Sequence, residues 1–291
     1  MPNVLPRQIL FSGRHALGIC QRGDPGGNGL FYFHGFPGSR LEVQAADTAA
    51  RRRGVRIIGI DRPGYGLSAA QPDRQLLDWP NDVIRVADHL GLETFAVLGV
   101  SGGGPYAAAC AYKIPHRLTA VGIAGGLGPL HTHEAAASMC RFNRFGLKLA
   151  GLCPVLLRPM LTSIRCLLQR RPQTALQFVA RRAGVADQKF FEHPELFAVM
   201  KQSFRESMRF GIEGAADDLR IYSRPWQFPL QAIGVRVHLW HGERDRLVPA
   251  TMGRQMAASI ADCRARFFPD EGHFSLIVHR MDQILADLSG A

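Results

Sequence analysis

The sequence has no charge-free run that is both long and rich in leucine, isoleucine and valine. A helix that crosses a bilayer needs about 20 mostly apolar residues, so no transmembrane helix is predicted. The N-terminal residues also lack the uninterrupted apolar segment of a secretory signal, because Arg7 and the polar residues 12–15 interrupt it. We therefore expect a cytoplasmic protein.

Cysteine pairs and clustered metal ligands are also missing. The six cysteines include no C-x-x-C pair and no spacing typical of a zinc site, which favours free thiols in a reducing compartment. The segment His131-Thr132-His133-Glu134 has a faint likeness to a metal site. No third ligand stands in register with it, so a hinge or a surface segment is the preferred interpretation. No metal or other cofactor is predicted.

Lysine is scarce, with 4 lysines beside 31 arginines and a formal net charge of +11. This bias is as compatible with the composition of the genome as with an acidic partner. Binding to nucleic acid would require basic residues interleaved with exposed aromatic residues, or a known reading module, and the sequence contains neither. No nucleic-acid partner is predicted, and the sequence does not indicate an oligomeric state.

The composition is that of an ordinary globular protein, 46% hydrophobic and 20% charged, and 291 residues suit one large domain or a domain with an insertion. Strands and helices alternate along residues 1–127 and 226–291. Residues 128–225 contain short helical segments broken by prolines and no convincing strand. The pattern predicts an α/β fold with a mostly parallel sheet and a helical insertion after the sixth strand. Predicted strands are 7–12, 16–21, 29–33, 55–60, 94–100, 118–124, 235–240 and 264–268, and predicted core helices include 40–53, 76–91, 250–260 and 274–288.

The stretch from Thr94 to Tyr112 organises the chain. It begins with a charge-free run typical of a strand buried on both faces and ends in an alanine-rich helix. Between them, residues 99–103 fit the G-x-S-x-G pattern of a sharp strand-to-helix turn, which presents the Ser101 hydroxyl above the sheet. The tight turn predicts that a Cβ at Gly99 or Gly103 would clash. A five-residue match also arises by chance, so the pattern depends on this context.

With three further motifs, the chain resembles the α/β-hydrolase superfamily over essentially the whole core. The motifs are His34-Gly35-Phe36-Pro37, Asp61-Arg62-Pro63-Gly64-Tyr65-Gly66 with Ser68, and the pair His241-Gly242-Glu243-Arg244-Asp245 and Glu271-Gly272-His273. The order Ser, Asp, His is the one that this fold uses. The predicted insertion lies where capped members carry a lid, so the resemblance is to a capped serine hydrolase of the esterase or lipase type.

The resemblance implies a catalytic triad. Ser101 takes the nucleophile position, and His273 is the base that activates it. Asp245 would accept the second ring proton of His273. By the same resemblance, the oxyanion hole is formed by the backbone N–H groups of Phe36 and Gly102.

Other acids and histidines near these motifs have alternative interpretations. Glu243 and Asp270 stand close to the predicted triad in sequence, whereas the position after the preceding strand offers no carboxylate. Asp61 is interpreted as a structural residue of a turn. His34 is expected to support the oxyanion loop and is also placed among the pocket candidates. These candidates are His34, Val100, Tyr222, Trp226 and Phe274, and ordinary packing is an equal alternative for Tyr222 and Trp226.

His-Gly-Phe-Pro is shared with epoxide hydrolases and haloalkane dehalogenases, which carry aspartate at the elbow. Serine at position 101 instead points to acyl transfer to water. We expect a small-molecule substrate that is an ester of an apolar acid. The sequence leaves open a lactone, a thioester or the carbon–carbon bond of a diketone, and also a small-molecule receptor with little turnover.

Residues 135–186 contain nine Arg or Lys and no acid. Leucines recur in this segment at spacings of three and four, which predicts amphipathic helices. The favoured interpretation places their apolar faces against the core and their arginines in water. The alternative is a weak contact with anionic membranes.

Overall fold

A computed structural model describes residues 8–11, 16–130, 139 and 141–290. Within them, one eight-stranded sheet forms the centre of the molecule. Its strands are β1 (Gln8–Leu10), β2 (Leu17–Gly23), β3 (Asn28–Phe33), β4 (Val55–Ile60), β5 (Phe95–Val100), β6 (Leu118–Ala124), β7 (Val237–Gly242) and β8 (Cys263–Phe268). The strands lie close to the segments that the sequence predicts.

The strand order is β1-β2-β4-β3-β5-β6-β7-β8. β2 pairs antiparallel with β1 and β4, and the remaining neighbours are parallel. β5 lies between β3 and β6, and all of its residues are buried. The carboxyl ends of parallel strands meet at one edge of a sheet, where such folds bind ligands. The segments that follow β3, β5, β7 and β8 therefore converge.

Helices cover both faces of this sheet, which confirms the predicted α/β fold. They are α1 (Asp47–Arg52), α2 (Trp79–His89), α3 (Gly104–Lys113), α4 (Arg141–Leu152), α5 (Pro154–Arg170), α6 (Pro172–Ala183), α7 (Gln188–Glu192), α8 (Pro194–Ser207), α9 (Glu213–Tyr222), α10 (Ala250–Ser259) and α11 (His273–Ser289). Helices α4 to α9 lie between β6 and β7, and we call residues 128–225 the helical insertion.

One predicted helix needs correction. Within residues 40–53, Arg40–Ala46 is a 3₁₀-helix, and only α1 is α-helical. The Arg40 backbone N–H donates to Asp61 Oδ1 at 2.7 Å, and the Arg40 carbonyl oxygen lies where a side chain on Gly59 would be. These contacts hold the segment tightly against β4, which favours the narrower helix.

Successive side chains of each strand point to opposite faces of the sheet, and apolar side chains form a core on each face. In β3, Phe31 and Phe33 face the side that includes Trp79 of α2. Leu30 and Tyr32 face the other side, where α1 and α11 pack. This period of two is expected for a strand buried on both faces.

Buried polar groups join the helical insertion to the core. Arg40 is fully buried and pairs with Asp61 at 2.5 Å and with Glu206 of α8 at 2.9 Å. Ser39 Oγ lies 3.1 Å from Ser203 Oγ, also in α8. A buried charge is tolerated only when it is paired.

The structure bears on several expectations about chemistry and membranes. None of the helices in the described ranges is long and apolar enough to cross a membrane. The five cysteines within these ranges are free thiols. The segment His131-Thr132-His133-Glu134 lies outside the described residues, and among the residues that are described no group of side chains is arranged to hold a metal ion.

Candidate active site

Ser101 stands on a strained turn between β5 and α3. It has a φ of 54°, a conformation that residues other than glycine rarely adopt. A Cβ at Gly99 would overlap the Gly103 carbonyl, and one at Gly103 would overlap the carbonyl of Phe33 at the end of β3. The glycines at both positions are therefore required by backbone contacts, as the sequence predicts, and the second contact is with the neighbouring strand.

His273 and Asp245 are brought together from the ends of β8 and β7. His273 Nδ1 lies 2.6 Å from Asp245 Oδ2. Asp245 Oδ1 accepts the backbone N–H groups of Leu247 and Val248, both at 2.8 Å. These bonds fix the carboxylate, which leaves Oδ2 directed at the imidazole.

The rival acids point elsewhere. Glu243 pairs with Arg254, and Asp270 is exposed and pairs with Arg244 at 2.9 Å. After β6, Gly125 has a φ of 53°, and a Cβ there would lie 3.6 Å from Asp245 Oδ2. The position after β6 therefore faces the His273–Asp245 pair without contributing a charge.

The charges around His273 favour its protonated form. Burial lowers the pKa of His273, but the carboxylates of Asp245 and Asp187 more than offset this, and the pKa ends above its usual value. An imidazole in this setting can hold a proton taken from a nearby hydroxyl.

Ser101 and His273 line the same cavity, although they form no hydrogen bond with each other within the described structure. Hydrogen bonds between a nucleophile and its base are often long in enzymes without substrate and tighten when substrate binds. The imidazole and the hydroxyl thus share one space at the edge of the sheet.

Phe36 and Gly102 present backbone N–H groups beside Ser101. A Cβ on Gly102 would lie 3.4 Å from the Phe36 nitrogen, so the two backbones are adjacent. Gly102 is in the first turn of the helical segment after Ser101, where N–H groups have no intrahelical partner. The arrangement can bind a negative oxygen, since a helix N-terminus favours negative charge.

Asp218 of α9 is a functional candidate that sequence reasoning missed. Its fully buried carboxylate accepts from Arg62 at 2.7 Å and Arg74 at 2.5 Å. It also accepts from the hydroxyls of Tyr65 and Tyr106. Burial alone would raise the pKa of Asp218, but the two guanidiniums outweigh it and hold that pKa below its usual range.

This network reaches both backbone N–H donors. Arg62 donates to the carbonyl oxygens of His34 at 2.5 Å and Gly35 at 3.0 Å, directly before Phe36. The Tyr222 hydroxyl lies 2.8 Å from the Gly102 carbonyl oxygen and 3.0 Å from Asp218 Oδ2. A carboxylate of the helical insertion therefore holds, through Arg62, the peptide that carries the Phe36 N–H and, through Tyr222, the peptide that follows Gly102.

Glu42 supports the same loop from inside the cavity. Its Oε2 accepts the Gly35 N–H at 3.0 Å and lies 3.2 Å from the Tyr32 hydroxyl. Burial raises the pKa of Glu42 to about 7, because the hydrogen bonds only partly offset the loss of water. In the sequence this residue is marked only as one of two acids, with Asp47, in the predicted helix 40–53.

Asp187, also from the helical insertion, was missed as well. Its carboxylate accepts the backbone N–H groups of His273 at 3.0 Å, Phe274 at 2.8 Å and Ser275 at 2.9 Å. It therefore caps the N-terminus of α11, the helix that begins with His273. Its one sequence signal is position, since it is the first acid after residues 135–186, which contain none.

The predicted pocket residues divide into two groups. Val100 and Phe274 line the cavity with Ser101 and His273, and Tyr222 lines a second cavity on the other side of Ser101. His34 and Trp226 line neither. His34 is fully buried behind the loop, where its Nε2 accepts the Arg62 N–H, and Trp226 packs against Phe228.

The two cavities at Ser101 have volumes of about 250 Å³ and 100 Å³. A further cavity of about 510 Å³ lies at the amino ends of the strands, beside Asn28, Thr94 and Leu118. That opening is at the far edge of the sheet from Ser101. We therefore place the candidate site at the two smaller cavities.

A model of the α/β hydrolase fold family matches residues 30–280. The chain therefore belongs to the α/β hydrolase family. This agrees with the resemblance that its motifs carry and with the sheet order described above.

Similarity to individual proteins is local for two relatives and extends over most of the chain for a third. An uncharacterized hydrolase of Bacillus subtilis is 32% identical over 71 residues, and epoxide hydrolase B of Mycobacterium tuberculosis is 33% identical over 91 residues. These matches cover 24% and 30% of this chain and 25% and 26% of those proteins, so the chain spans about a quarter of their length. A non-heme haloperoxidase of Rhodococcus erythropolis is 24% identical over 273 residues, which cover 90% of this chain and 91% of that protein.

Solved structures share the fold at low identity. A hydrolase from Pseudomonas aeruginosa has a TM-score of 0.73 at 19% identity, covering 99% of this chain and 100% of that one. An esterase from Thermogutta terrifontis has a TM-score of 0.67 at 21% identity, covering 94% and 92%. An enol-lactonase from Burkholderia xenovorans has a TM-score of 0.69 at 17% identity, covering 94% of each chain. These likenesses extend over nearly the whole chain and show the fold.

Proposed function

We propose that this protein is a serine hydrolase that cleaves carboxylic esters of apolar acyl groups through an acyl-enzyme. The observation that carries the proposal is that Ser101, on its strained turn, lines one cavity with His273, whose imidazole is held by Asp245. A serine hydroxyl is a weak nucleophile at neutral pH and needs such a base.

In the first step, Ser101 Oγ attacks the ester carbonyl carbon while His273 takes its proton. Asp245 holds the Nδ1–H of His273 and stabilises the imidazolium that forms. The carbonyl oxygen becomes negative and accepts from Phe36 and Gly102, and each such donor is worth about 3 kcal/mol. His273 then protonates the departing alcohol, and water repeats the sequence to release the acid.

The residue at the elbow bears on the choice of chemistry. The local match to epoxide hydrolase B would suggest another reaction, but position 101 is serine, which supports acyl transfer. The same three side chains could act on a lactone, a thioester or the carbon–carbon bond of a diketone. The apolar walls of the larger cavity, among them Leu168, Phe178 and Phe204, support an apolar ester.

The test is covalent labelling with a fluorophosphonate, followed by mass spectrometry. We expect the wild type to gain one adduct on Ser101, and expect none in Ser101→Ala and little in His273→Ala. A wild type that folds and fails to label would contradict the proposal and favour a small-molecule receptor on the same fold.

The alternative interpretation of the basic insertion, a weak contact with anionic membranes, stays a proposal. It is supported by exposed apolar side chains at the α4–α5 turn, where Leu152, Val155 and Leu156 are more than half exposed. Sedimentation with anionic vesicles at low and high salt tests it, since electrostatic binding weakens as salt rises.

A further inference from the structure

Two cavities of different size meet at Ser101. The larger, about 250 Å³, is closed by α5, α6 and α8 of the helical insertion, and the smaller, about 100 Å³, lies between α4, α5 and α9. Ser101 and Phe36 line both. A substrate whose reacting carbon lies at Ser101 can therefore extend in two directions.

The catalytic candidates are not shared equally between the cavities. His273 lines the larger cavity and is absent from the residues that line the smaller one. Gly102 shows the opposite distribution, and it lies with Leu127 and Tyr222 in the wall of the smaller cavity. The base is thus on one side of Ser101, and Gly102 is on the other.

Ester chemistry fixes what each side must hold. When the Ser101 Oγ–carbon bond forms, the proton moves from Oγ to His273. When the carbon–alkoxy bond breaks, the same proton passes to the alcohol oxygen, which must therefore lie beside His273. The acyl chain leaves the tetrahedral carbon in another direction. Water then attacks, gives its proton through His273 to Ser101 Oγ, and frees the acid.

We infer that the smaller cavity holds the acyl chain and the larger cavity holds the alcohol, so that the preferred substrates are esters of short apolar acids with larger apolar alcohols. The inference rests on the proposed function. It narrows the substrate class, because the ester's two sides are assigned to cavities of unequal size.

The walls support apolar groups on both sides. In the smaller cavity, the polar side chains of Asn143 and Tyr222 are already bonded to the carbonyl oxygens of Leu247 and Gly102. A charged acyl chain would lose its hydration there without gaining a partner. In the larger cavity, the walls include Leu167, Leu168, Phe178, Val179, Phe204 and Met208.

Two series of esters test the assignment in the full-length wild type. In the first, nitrophenyl esters vary the acyl chain from acetyl to butyryl to octanoyl. In the second, butyrate esters vary the alcohol from ethyl to butyl to hexyl, which are leaving groups of similar basicity. We expect kcat/KM to fall at least about tenfold from butyryl to octanoyl and to rise at least about tenfold from ethyl to hexyl, since a few methylene groups in a pocket are worth that much. A preference for octanoyl with no response to the alcohol would overturn the assignment.

Two methionines provide matched variants. Met160 lines the smaller cavity alone, Met200 lines the larger cavity alone, and both are partly buried. We expect Met160→Ala to move the acyl optimum to longer chains without changing the order of the alcohols. We expect Met200→Ala to change the alcohol order and leave the acyl optimum in place. The reverse pattern, or the same response from both variants, would contradict the inference.

A third variant does not depend on removing a core side chain. Gly146 lines the smaller cavity, and a Cβ there would have Met160 Cε as its nearest neighbour at 3.8 Å, an ordinary contact. Gly146→Ala should therefore fold and should lower kcat/KM for butyryl more than for acetyl esters. An equal effect on both esters counts against the acyl assignment.

The failure of this inference differs from failure of the proposed function. If Ser101 labels and esters turn over with the opposite preference, the assignment of the cavities is wrong and the serine hydrolase stands. If Ser101 does not label and no ester in either series is hydrolysed, both are overturned.

Discussion

Two buried aspartates contact the segment that carries His273, one from the core and one from the helical insertion. Asp245 accepts from the imidazole itself at 2.6 Å. Asp187 accepts from the backbone N–H groups at the start of α11, including that of His273 at 3.0 Å. The core thus contributes the carboxylate that contacts the His273 imidazole. The insertion contributes the carboxylate that fixes the backbone of His273.

The same division holds on the other side of the cavity. The core contributes the N–H groups of Phe36 and Gly102, whereas Asp218 of the insertion binds Arg62 and Tyr222, which hold the adjoining peptides. The comparison indicates that the insertion does more than close the cavity. The insertion helps to position both His273 and the loop that carries Phe36. Four substitutions test how much the core and the insertion each contribute to the site.

The largest effect is expected at Asp245. Asp245→Asn preserves the shape of the side chain but removes the charge that fixes the imidazole and stabilises its protonated form. We expect kcat to fall by about 10⁴-fold with little change in fold. Glu243→Gln, two residues away and paired with exposed Arg254, is the control and should stay within a few-fold of wild type. A loss at Asp245 no larger than the control's would remove it from the proposed triad.

Asp218 should have the largest effect on stability among residues of the insertion. Asp218→Asn leaves the buried guanidiniums of Arg62 and Arg74 without their carboxylate, and such a loss typically lowers the free energy of unfolding by about 3–5 kcal/mol. Urea unfolding measures it. Glu213→Gln, on the same helix but in an exposed pair with Arg158, should cost less than about 1 kcal/mol. Equal losses would show that the buried network does not join the insertion to the core.

Glu42 lies where the core and the helical insertion meet. Its raised pKa predicts that the stability of the protein depends on pH. Its pKa is about 7 in the folded protein and close to 4.5 when unfolded, so between these values the folded state binds more protons. The free energy of unfolding therefore falls as pH rises through this window, by about 3 kcal/mol from this group. Glu42→Gln removes that component. Urea unfolding of the wild type and Glu42→Gln from about pH 4 to pH 8 measures the difference between their free energies of unfolding. The contributions of the other titrating groups are common to both proteins and cancel in this difference. A difference that is constant with pH refutes the prediction.

The smallest effect is expected at Asp187, and it concerns the pH profile. His273 acts as a base only when neutral, so kcat/KM should rise as pH increases through its raised pKa. Asp187→Asn keeps an oxygen at the start of α11 but removes a charge that raises this pKa. The acidic limb should therefore move to lower pH, with less than a tenfold change in rate on the alkaline side.

Asp270→Asn is the matched control, since Asp270 is three residues from His273 but exposed and paired with Arg244. It should not move the acidic limb. If both variants leave the limb in place while Asp187→Asn lowers stability, Asp187 has a structural role only.

Much of this arrangement was accessible from the sequence because local geometry dictates local residue types. The turn at Ser101 admits only glycine at positions 99 and 103, so the sequence must show them. The order of strands and helices follows from hydrophobic periodicity. The prediction that Asp245 and His273 contact each other came from the family resemblance. The two residues are 28 positions apart, so no local pattern in the sequence indicates the contact.

The contributions of the helical insertion could not be predicted in the same way. Asp187, Glu206 and Asp218 act on residues that are 86, 166 and 156 positions away, and no motif accompanies a contact of that range. Side-chain direction was also beyond the reach of the sequence. His34 and Trp226 lie near cavity residues along the chain, which made them pocket candidates. In the structure the His34 side chain points into the interior, and the Trp226 side chain packs against Phe228.

The buried pairing of Arg62 with Asp218 and of Arg40 with Glu206 has a consequence for protein engineering. A chimera that joins this core to the lid of a relative would leave Arg62 in the interior without its counter-ion and Arg40 with Asp61 alone, unless the transplanted segment supplies a carboxylate at each place. A grafted lid must therefore match this core in the positions of its buried charges as well as in the lengths of the loops that join them.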